Sequence, residues 1–298
     1  MTHENPYFYQ KSRFAPSPTG YLHRGHLLSA AWVWGIAQWT GATTLLRIED
    51  HDVSRSREEY AASIFEDLSY FGFVWDECSR QRDREEIYLS ALGLLKGFAE
   101  IYACDCSRKH ILSLSPFSDQ EPCYKGTCRY RGLPFKTGNS IRVHLSERCI
   151  SWSDLRLGAF TDSPYQQCGD LMIKDSLGQW TYQFAVSVDD LDEGIDLVVR
   201  GMDLLDSTAR QIQLAQMLGR AQPPAFLHHP LLRGSDGMKL SKRQLSKSLR
   251  AERAQGISAA QMLGEVCTQG GLLDTFRPLQ VVELGELVQK AMKTATQW

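Results

Sequence analysis

Two short segments, far apart in the chain, carry residues suited to binding a nucleoside triphosphate. The first contains His23, Gly25 and His26, which follow a predicted strand and precede an apolar stretch that starts at Leu27. A strand, turn and helix in this order present unpaired backbone N–H groups and the positive end of a helix dipole to a phosphate, and glycine permits a close approach. The two imidazoles add hydrogen-bond donors for phosphate oxygens, so we expect this turn to bind ATP.

The second segment supplies mobile cations. It contains Lys239 and Lys242, and it follows the glycine-bearing run 234–237. Lysine is a flexible point charge that can neutralise the charge developing on a pentavalent phosphorus. A P-loop ATPase is excluded because the chain lacks Gly-x-x-x-x-Gly-Lys-Ser/Thr, so the α-phosphate is the expected site of attack.

Each segment alone has a simpler interpretation, as packed turn histidines or as solvated loop lysines. Their order along the chain, with a glutamate-bearing strand between them, favours a split ATP site instead. The predicted catalytic residues are His23, His26, Lys239 and Lys242. The predicted ATP contacts are His23, Gly25, His26 and Lys242.

The elements that must position these residues alternate between strands and helices. Strands are predicted at Ser12–Ala15 and Thr43–Ile48, with a mostly buried helix at Leu27–Trp39 between them. Two amphipathic helices follow, because apolar residues recur at helical spacing after residue 60 and again after residue 88. Alternating β and α elements predict an α/β fold with a parallel, Rossmann-like sheet.

The alternating pattern is interrupted and then resumes. Cysteine, proline and glycine residues from Cys104 to about Pro134 mark an insertion between two halves of the sheet domain. Later strands are predicted at Leu171–Lys174, Ile195–Arg200 and Phe226–Leu232, and a late helix at Val281–Met292. The predicted division is a first catalytic half (11–103), an insertion (104–165), a second half (166–232) and a loop with a helical C-terminal region (233–298).

Composition limits the class of protein. A chain of 298 residues that is 43% hydrophobic can bury a core. No apolar run approaches membrane-spanning length and the N-terminus lacks a signal-peptide profile, so we expect a cytoplasmic protein without a membrane partner, its eight cysteines reduced. A net charge of -2 excludes binding of nucleic acid through the overall field, which leaves local patches such as Lys125 to Lys136 and Lys239 to Arg250.

The two motifs, taken with three further segments, resemble the class I aminoacyl-tRNA synthetases. His23–His26 resembles the HIGH element and Lys239–Arg243 the KMSKS element. Three segments resemble the glutamyl branch of that family: Arg13–Gly20, Arg47–Asp50 and Val199–Leu205. The implied architecture is a Rossmann-like domain with a zinc-bearing insertion and a short helical extension, without an anticodon-binding domain.

The departures from the family motifs are few. Leu240 and Arg243 replace the Met and the final Ser of KMSKS, while Lys239 and Lys242 remain, so activation should survive. Arg24 replaces the Ile of HIGH, and the sequence leaves open whether it touches phosphate or faces solvent.

The resemblance also implies an amino-acid pocket for L-glutamate. The implied contacts are Arg13, Phe14, Ala15, Pro16, Ser17, Glu49, Tyr182 and Arg200. Arginine gives bidentate, permanently charged recognition of a carboxylate, so Arg13 and Arg200 would hold the side chain and Glu49 the ammonium group. The alternatives are salt bridges of these arginines with Asp50 or Asp203, and a helix-capping role for Glu49.

A metal site is implied by the same resemblance. Cys104, Cys106, Tyr124 and Cys128 match the Cys-x-Cys, Tyr-x-x-x-Cys pattern of zinc-bearing glutamyl-type synthetases. Three thiolates suit one structural Zn²⁺, whereas a tyrosine ligand must lose its phenolic proton. Cys123, His110 or water are alternative fourth ligands, and three reduced cysteines without a metal are the alternative to the whole site.

The implied reaction is activation of glutamate with ATP and Mg²⁺, giving glutamyl-adenylate. About fifty residues follow Leu249, too few for an anticodon-reading domain, so the chain resembles the short paralogues that esterify glutamate onto queuosine at the wobble position of tRNA(Asp). We expect a monomer. The alternatives are a truncated synthetase that charges the tRNA 3′ end, a small nucleotidyltransferase, and a zinc-stabilised RNA-binding module that has lost catalysis.

Overall fold

A computed structural model describes residues 8–114, 122–232 and 247–295. The strands β1 to β10 are numbered along the chain, and seven of them form one large sheet. The spatial order is β3 (Glu77–Arg80), β2 (Thr43–Ile48), β1 (Lys11–Phe14), β9 (Leu197–Gly201), β10 (Ala225–His229), β6 (Ile150–Asp154) and β7 (Gly158–Asp162). All neighbours are parallel except β6 and β7, which form an antiparallel pair. The predicted α/β class with a mostly parallel sheet is confirmed.

The strand order reverses direction between β1 and β9. From β1 the chain winds outwards through β2 and β3, and later it returns to the other side of β1 as β9 and β10. In open parallel sheets this switch point leaves a crevice at the carboxyl ends of the strands, where ligands bind. Arg13, Glu49, Arg200 and the histidine turn follow or end these strands, so the topology brings them to one edge.

The described residues also form ten α-helices. They are α1 (Arg24–Thr40), α2 (Glu58–Phe71), α3 (Glu85–Phe98), α4 (Arg108–Leu114), α5 (Pro164–Cys168), α6 (Tyr182–Asp192), α7 (Thr208–Met217), α8 (Leu249–Ala254), α9 (Ala259–Gln269) and α10 (Leu284–Ala295). Helix α1 is apolar on nearly every face because it lies between the sheet and α9 and α10. At Gly35 it touches α10 so closely that a Cβ atom would lie 2.5 Å from Val288 Cγ2.

A second, antiparallel sheet contains β4 (Ile101–Cys104), β5 (Ser140–Val143) and β8 (Leu171–Lys174). The prediction that the strand at Leu171–Lys174 resumes the large sheet was therefore wrong. Leu171 and Ile173 instead pack with Val143 in a separate core against α3 and α6. Conversely, β6 and β7 lie within the predicted insertion yet extend the large sheet. A short apolar pattern identifies a strand but does not choose its partner.

Within the three described ranges, no helix combines the length and the apolar character required to cross a bilayer.

Candidate functional site

A cavity of about 380 Å³ opens at the carboxyl ends of β1, β2, β9 and β10. Ten of the predicted site residues line it: Arg13, Phe14, Ala15, Pro16, His23, Gly25, His26, Glu49, Tyr182 and Arg200. Ser17 is exposed and does not line the cavity. Lys239 and Lys242 lie outside the described residues.

Arg13 is held by a buried acidic residue of α6. Its Nε donates to Asp190 Oδ1 at 3.0 Å and its Nη2 to Asp190 Oδ2 at 3.3 Å. Asp190 Oδ1 also accepts from Nη2 of the fully buried Arg47 at 2.7 Å. Burial by itself raises the pKa of Asp190, but the guanidinium groups of Arg13 and Arg47 lower it to about 2. The alternative partner for Arg13, Asp50, instead pairs with Arg80 at 2.8 Å.

Arg200, near the end of β9, is held by uncharged groups. Its Nε donates to His228 Nε2 at 2.9 Å, its Nη1 to Gln211 at 2.6 Å and its Nη2 to the Thr208 hydroxyl at 2.7 Å. His228 Nδ1 lies 2.7 Å from Asp154 Oδ2. The tautomer that satisfies both contacts has its proton on Nδ1, which leaves Nε2 as the acceptor for Arg200.

Glu49 lines the same cavity as Arg13 and Arg200. It follows β2 directly, and its backbone N–H donates to the Pro16 carbonyl at 3.0 Å, which joins the ends of β1 and β2. Burial raises the pKa of its carboxyl group to about 8, although Arg47, 3.9 Å away, and Arg13 act in the opposite direction. An ammonium group in the cavity would supply the positive charge that this carboxylate needs.

Tyr182, the first residue of α6, completes this end of the cavity. Burial, followed by the negative charge of Glu49, raises the pKa of its hydroxyl, so the phenol is protonated and can donate. The cavity therefore offers two guanidinium groups, one carboxyl group and one phenol. This set matches the side-chain carboxylate and the ammonium group of an acidic amino acid.

The other end of the cavity is the first turn of α1. His23 Nδ1 accepts from the Gly25 N–H at 3.0 Å, and His26 Nδ1 accepts from the His23 N–H at 3.1 Å. Because both Nδ1 atoms are acceptors, the ring protons are on the Nε2 atoms. Burial lowers the pKa of both rings, that of His26 to about 3. The two imidazoles are thus neutral donors next to a helix N-terminus.

Several residues of this site were missed by sequence reasoning. Asp190, Arg47 and His228 contact the predicted arginines or carboxylate from beneath, and Asp203 and His229 line the cavity itself. Arg47 carried a usable signal, since a charge inside an otherwise apolar strand needs a buried partner. The pairing of His228 with Arg200 depends on the register of β9 against β10, which the local sequence does not contain.

A second cluster lies where β4 ends. The sulfur atoms of Cys104, Cys106 and Cys128 lie within 4.8 Å of one another. Tyr124 Oη is 3.3 Å from Cys104 Sγ and 3.8 Å from Cys106 Sγ, and it accepts from the Cys128 N–H at 2.9 Å. An ion with ligands at about 2.3 Å in a tetrahedron separates them by roughly 3.8 Å, so these four side chains fit a Zn²⁺ ion.

The rival fourth ligand points elsewhere. Cys123 Sγ contacts the carbonyl oxygens of Tyr165 and Gln166 at 3.7 and 3.5 Å, beside α5. Tyr124 is fixed by close packing against Gly169, whose φ of 69° favours glycine and whose Cβ would collide with the Tyr124 carbonyl. The geometry therefore favours Tyr124 over Cys123.

The first candidate basic patch is largely used within the protein. Arg129 donates to the buried Asp170 at 2.7 Å, and Arg131 donates to Asp105 at 2.6 Å. Lys125 donates to the Tyr165 carbonyl at 3.1 Å. These contacts order residues 105–170, and Asp170 and Asp105 partly neutralise the charges of the two arginines.

Comparison with known proteins agrees with this geometry. Residues 11–272 match the family described as tRNA synthetases class I (E and Q), catalytic domain. A glutamate tRNA ligase from Elizabethkingia meningosepticum, solved in complex with its amino acid, superimposes with a TM-score of 0.78 at 24% identity, covering 97% of this chain and 69% of that one. At this identity the likeness concerns the fold.

Two curated relatives are more similar in sequence. Glutamate–tRNA ligase 2 of Cereibacter sphaeroides is 38% identical over 87% of this chain, which spans only 60% of the length of that protein. The Glutamyl-Q tRNA(Asp) synthetase of Symbiobacterium thermophilum is also 38% identical, over 91% of this chain and 90% of its own length. The chain belongs to the family of class I glutamyl- and glutaminyl-tRNA synthetases.

Proposed function

We propose that this protein is a ligase that activates L-glutamate with ATP and transfers the glutamyl group to the queuosine cyclopentenediol at the wobble position of tRNA(Asp). The observation that carries the first step is the convergence of Arg13, Arg200 and Glu49 with His23 and His26 in one cavity. The acceptor is supported by the name of a relative that aligns over 90% of its length. The proposed compartment is the cytoplasm, and the proposed form is a monomer.

In the first step, an oxygen of the glutamate α-carboxylate attacks the α-phosphorus of ATP, and pyrophosphate leaves. Arg13 and Arg200 bind the side-chain carboxylate, Glu49 binds the ammonium group, and Nε2–H of His23 and His26 donates to phosphate oxygens. Mg²⁺ bound with ATP supplies further neutralisation of phosphate charge. No side chain needs to move a proton, so the rate comes from positioning and electrostatic stabilisation.

The arginines also explain a preference for glutamate over glutamine. Among the described residues, the hydrogen bonds of Arg200 go to neutral groups, so none of the carboxylates described there neutralises its positive charge by direct contact. A ligand carboxylate would supply the missing counter-charge, whereas an amide would leave the buried charge uncompensated. Rejection of a ligand that leaves buried polar groups unpaired reaches about 10⁴-fold in well-built sites.

The ATP half of the proposal is tested by pyrophosphate exchange. Exchange should require glutamate, which separates this protein from a nucleotidyltransferase. Lys242→Ala should abolish exchange and His26→Ala should raise its KM for ATP, while the unfolding transition stays unchanged. Lys239 and Lys242 are assigned on their motif alone, and near-wild-type exchange in both variants would contradict the ATP site.

The acceptor is tested with radiolabelled glutamate and two preparations of tRNA, one from cells that make queuosine and one from cells that cannot. Label confined to the queuosine-containing tRNA, and located in its anticodon loop, is the expected result. Equal labelling of both, located at the 3′ end, would assign the protein to the aminoacylation of tRNA. Exchange activity without any labelling would show that the acceptor is neither.

We further propose that Cys104, Cys106, Tyr124 and Cys128 bind one structural Zn²⁺ that orders the insertion. In the metal-free protein, burial and the neighbouring thiols raise the pKa of Tyr124, so its phenol loses its proton only when a metal ion binds to the oxygen. Tyr124→Phe should weaken Zn²⁺ binding about tenfold or more in competition with a chelator. Cys123→Ser is the matched control, and loss of zinc from that variant alone would reassign the fourth ligand.

A further inference from the structure

Arg24 lies between His23 and His26 in the sequence of the ATP turn, yet it does not line the cavity. It is the first residue of α1, and its guanidinium group contacts two carboxylates from other helices. Nε donates to both oxygens of Glu252 at 3.0 and 3.1 Å, and Nη2 donates to Glu252 Oε2 at 2.6 Å. The same Nη2 donates to Glu265 Oε2 at 2.7 Å. Arg24 is therefore directed towards protein carboxylates and away from a phosphate.

The two carboxylates belong to α8 and α9, the first helices of the described range 247–295. Glu252 lies in α8 and is almost completely buried, while Glu265 lies in α9 and is partly exposed. Gln261 donates to Glu265 at 3.0 Å, which fixes that carboxylate on its own helix. The Arg24 guanidinium group thus connects the first turn of α1 with carboxylates of α8 and α9.

Backbone contacts join the same segments. The Leu249 N–H donates to the Leu22 carbonyl at 2.8 Å, and His23 and Ser248 form an isolated antiparallel bridge. The Ser248 side chain then caps α8 by accepting from the Ala251 N–H. The backbone around His23 is consequently attached to the start of α8, and the ion pairs of Arg24 fix the orientation of α1 relative to α8 and α9.

From this geometry we infer that Arg24 is a positioning residue for the ATP-binding turn. Its planar fork fixes the first turn of α1 against α8 and α9, and it thereby sets where Nε2 of His23 and of His26 can meet a triphosphate. The inference rests on the proposed function for its substrate, but it concerns residues that touch no ligand. A purely stabilising ion pair would affect glutamate and ATP alike, because both ligands bind the same folded cavity.

The test compares variants of the full chain by two measurements. The first is the affinity for a non-hydrolysable ATP analogue with Mg²⁺, by calorimetry, which requires neither glutamate nor tRNA. The second is the KM for ATP and for glutamate in pyrophosphate exchange. Arg24→Met should weaken analogue binding and raise the KM for ATP about tenfold or more, since small misplacements of binding groups are costly, while the KM for glutamate changes less than twofold.

Three companion variants make the result specific. Arg24→Lys retains the charge but not the fork, and we expect it to recover only part of the loss. Glu265→Gln alters a partly exposed carboxylate, so we expect it to fold even if Arg24→Met does not. It should weaken ATP binding less than Arg24→Met and, like that variant, leave the KM for glutamate nearly unchanged. Arg277→Met removes a surface ion pair with Glu283 in the same C-terminal region, and both constants should stay at wild-type values.

The outcomes separate this inference from the proposed function. A wild-type protein that binds the analogue but shows no glutamate-dependent exchange would contradict the proposed function, and the variants would still decide the role of Arg24. The inference is overturned if Arg24→Met and Glu265→Gln bind the analogue like the wild type. It is also overturned if their losses for ATP and glutamate are equal and follow the loss of folding stability, or if the wild type does not bind the analogue.

Discussion

The two ends of the cavity offer different kinds of hydrogen-bond donor. At the amino-acid end, Arg13 and Arg200 are buried, positively charged guanidinium groups. At the ATP end, His23 and His26 are partly buried imidazoles, and their lowered pKa favours the neutral form. One end therefore binds with fixed charges, and the other with oriented dipoles and a helix N-terminus.

The difference lies in what each end needs before the substrate arrives. A buried guanidinium must be stabilised in the empty protein, so Arg13 has Asp190 and Arg200 has a set of polar neighbours. A neutral imidazole needs only its backbone partners, which α1 supplies at its own first turn. We infer that the amino-acid end is more sensitive to loss of charge, and the ATP end to loss of position.

The largest effect is expected for Arg200→Gln. Because the partners of Arg200 in the described part of the chain are neutral, its removal leaves none of their groups as an unpaired carboxylate, and the loss falls mainly on the substrate. We expect kcat/KM for glutamate in pyrophosphate exchange to fall about a thousandfold, in line with truncation of one partner of a buried charge pair. Arg148→Gln is the control, since Arg148 is exposed and donates to the neutral amide of Gln216 outside the cavity. A loss below tenfold would show that the amino-acid end does not depend on this charge.

Asp190→Asn should act on folding in addition to binding. Without this carboxylate, Arg13 and Arg47 lose their shared counter-charge, and we expect the free energy of unfolding to fall by about 3 kcal/mol. The folded pKa of about 2 lies below the ordinary value of 3.8, so the wild type keeps this contribution above about pH 4 and loses it as the pH falls towards 2. Urea unfolding at pH 7 and at pH 3 measures both effects.

Asp192→Asn is the matched control on the same helix. Asp192 pairs with Arg84 at 2.6 Å but is half exposed, so its removal should change stability by less than about 1 kcal/mol. Equal destabilisation by the two variants would contradict the special role assigned to the buried pair of Asp190.

His26→Ala tests the neutral end. We expect the KM for ATP to rise by about a hundredfold or less, because a neutral hydrogen bond contributes less than a charged one. Glutamate binding measured without ATP should be unchanged. The KM for ATP in the wild type should also show no steep rise as the pH increases from 6 to 8, since His26, with a pKa of about 3, is neutral throughout this range and burial lowers the pKa of His23 below its ordinary 6.5. A steep rise through pH 6.5 would mean that the rings bind phosphate as cations.

The sequence predicted the surface of this cavity better than its support. Arg13, Glu49, Arg200 and the histidine turn could be found because each lies in a local motif at the end of a predicted strand. Asp190 could not, since its contact with Arg13 joins residues 177 positions apart and depends on how α6 packs on the sheet. Local motifs mark the groups that meet a substrate, whereas their partners are fixed by tertiary packing.

The same limit applied to the fold. The alternation of strands and helices predicted the parallel sheet, but not that β8 would join the smaller sheet while β6 joined the larger one. Arg24 shows the limit within a single motif. Its partners Glu252 and Glu265 lie 228 and 241 residues away, so its direction could not be read from the turn that contains it.

The smallest expected effect on substrate binding concerns Glu49, whose carboxyl group lines the amino-acid end of the cavity. Its folded pKa of about 8 lies above the ordinary 4.5, so the folded protein holds more protons than the unfolded chain between these values, and stability falls as the pH rises from 4.5 to 8. Glu49→Gln should remove that decline in urea unfolding.

A substrate ammonium group favours the ionised form of Glu49, so we expect glutamate affinity in the wild type to increase about tenfold from pH 6 to pH 8. Calorimetry in buffers of different ionisation enthalpy should detect the released proton. Affinity that is flat over this range, without proton release, would place the ammonium group elsewhere in the cavity.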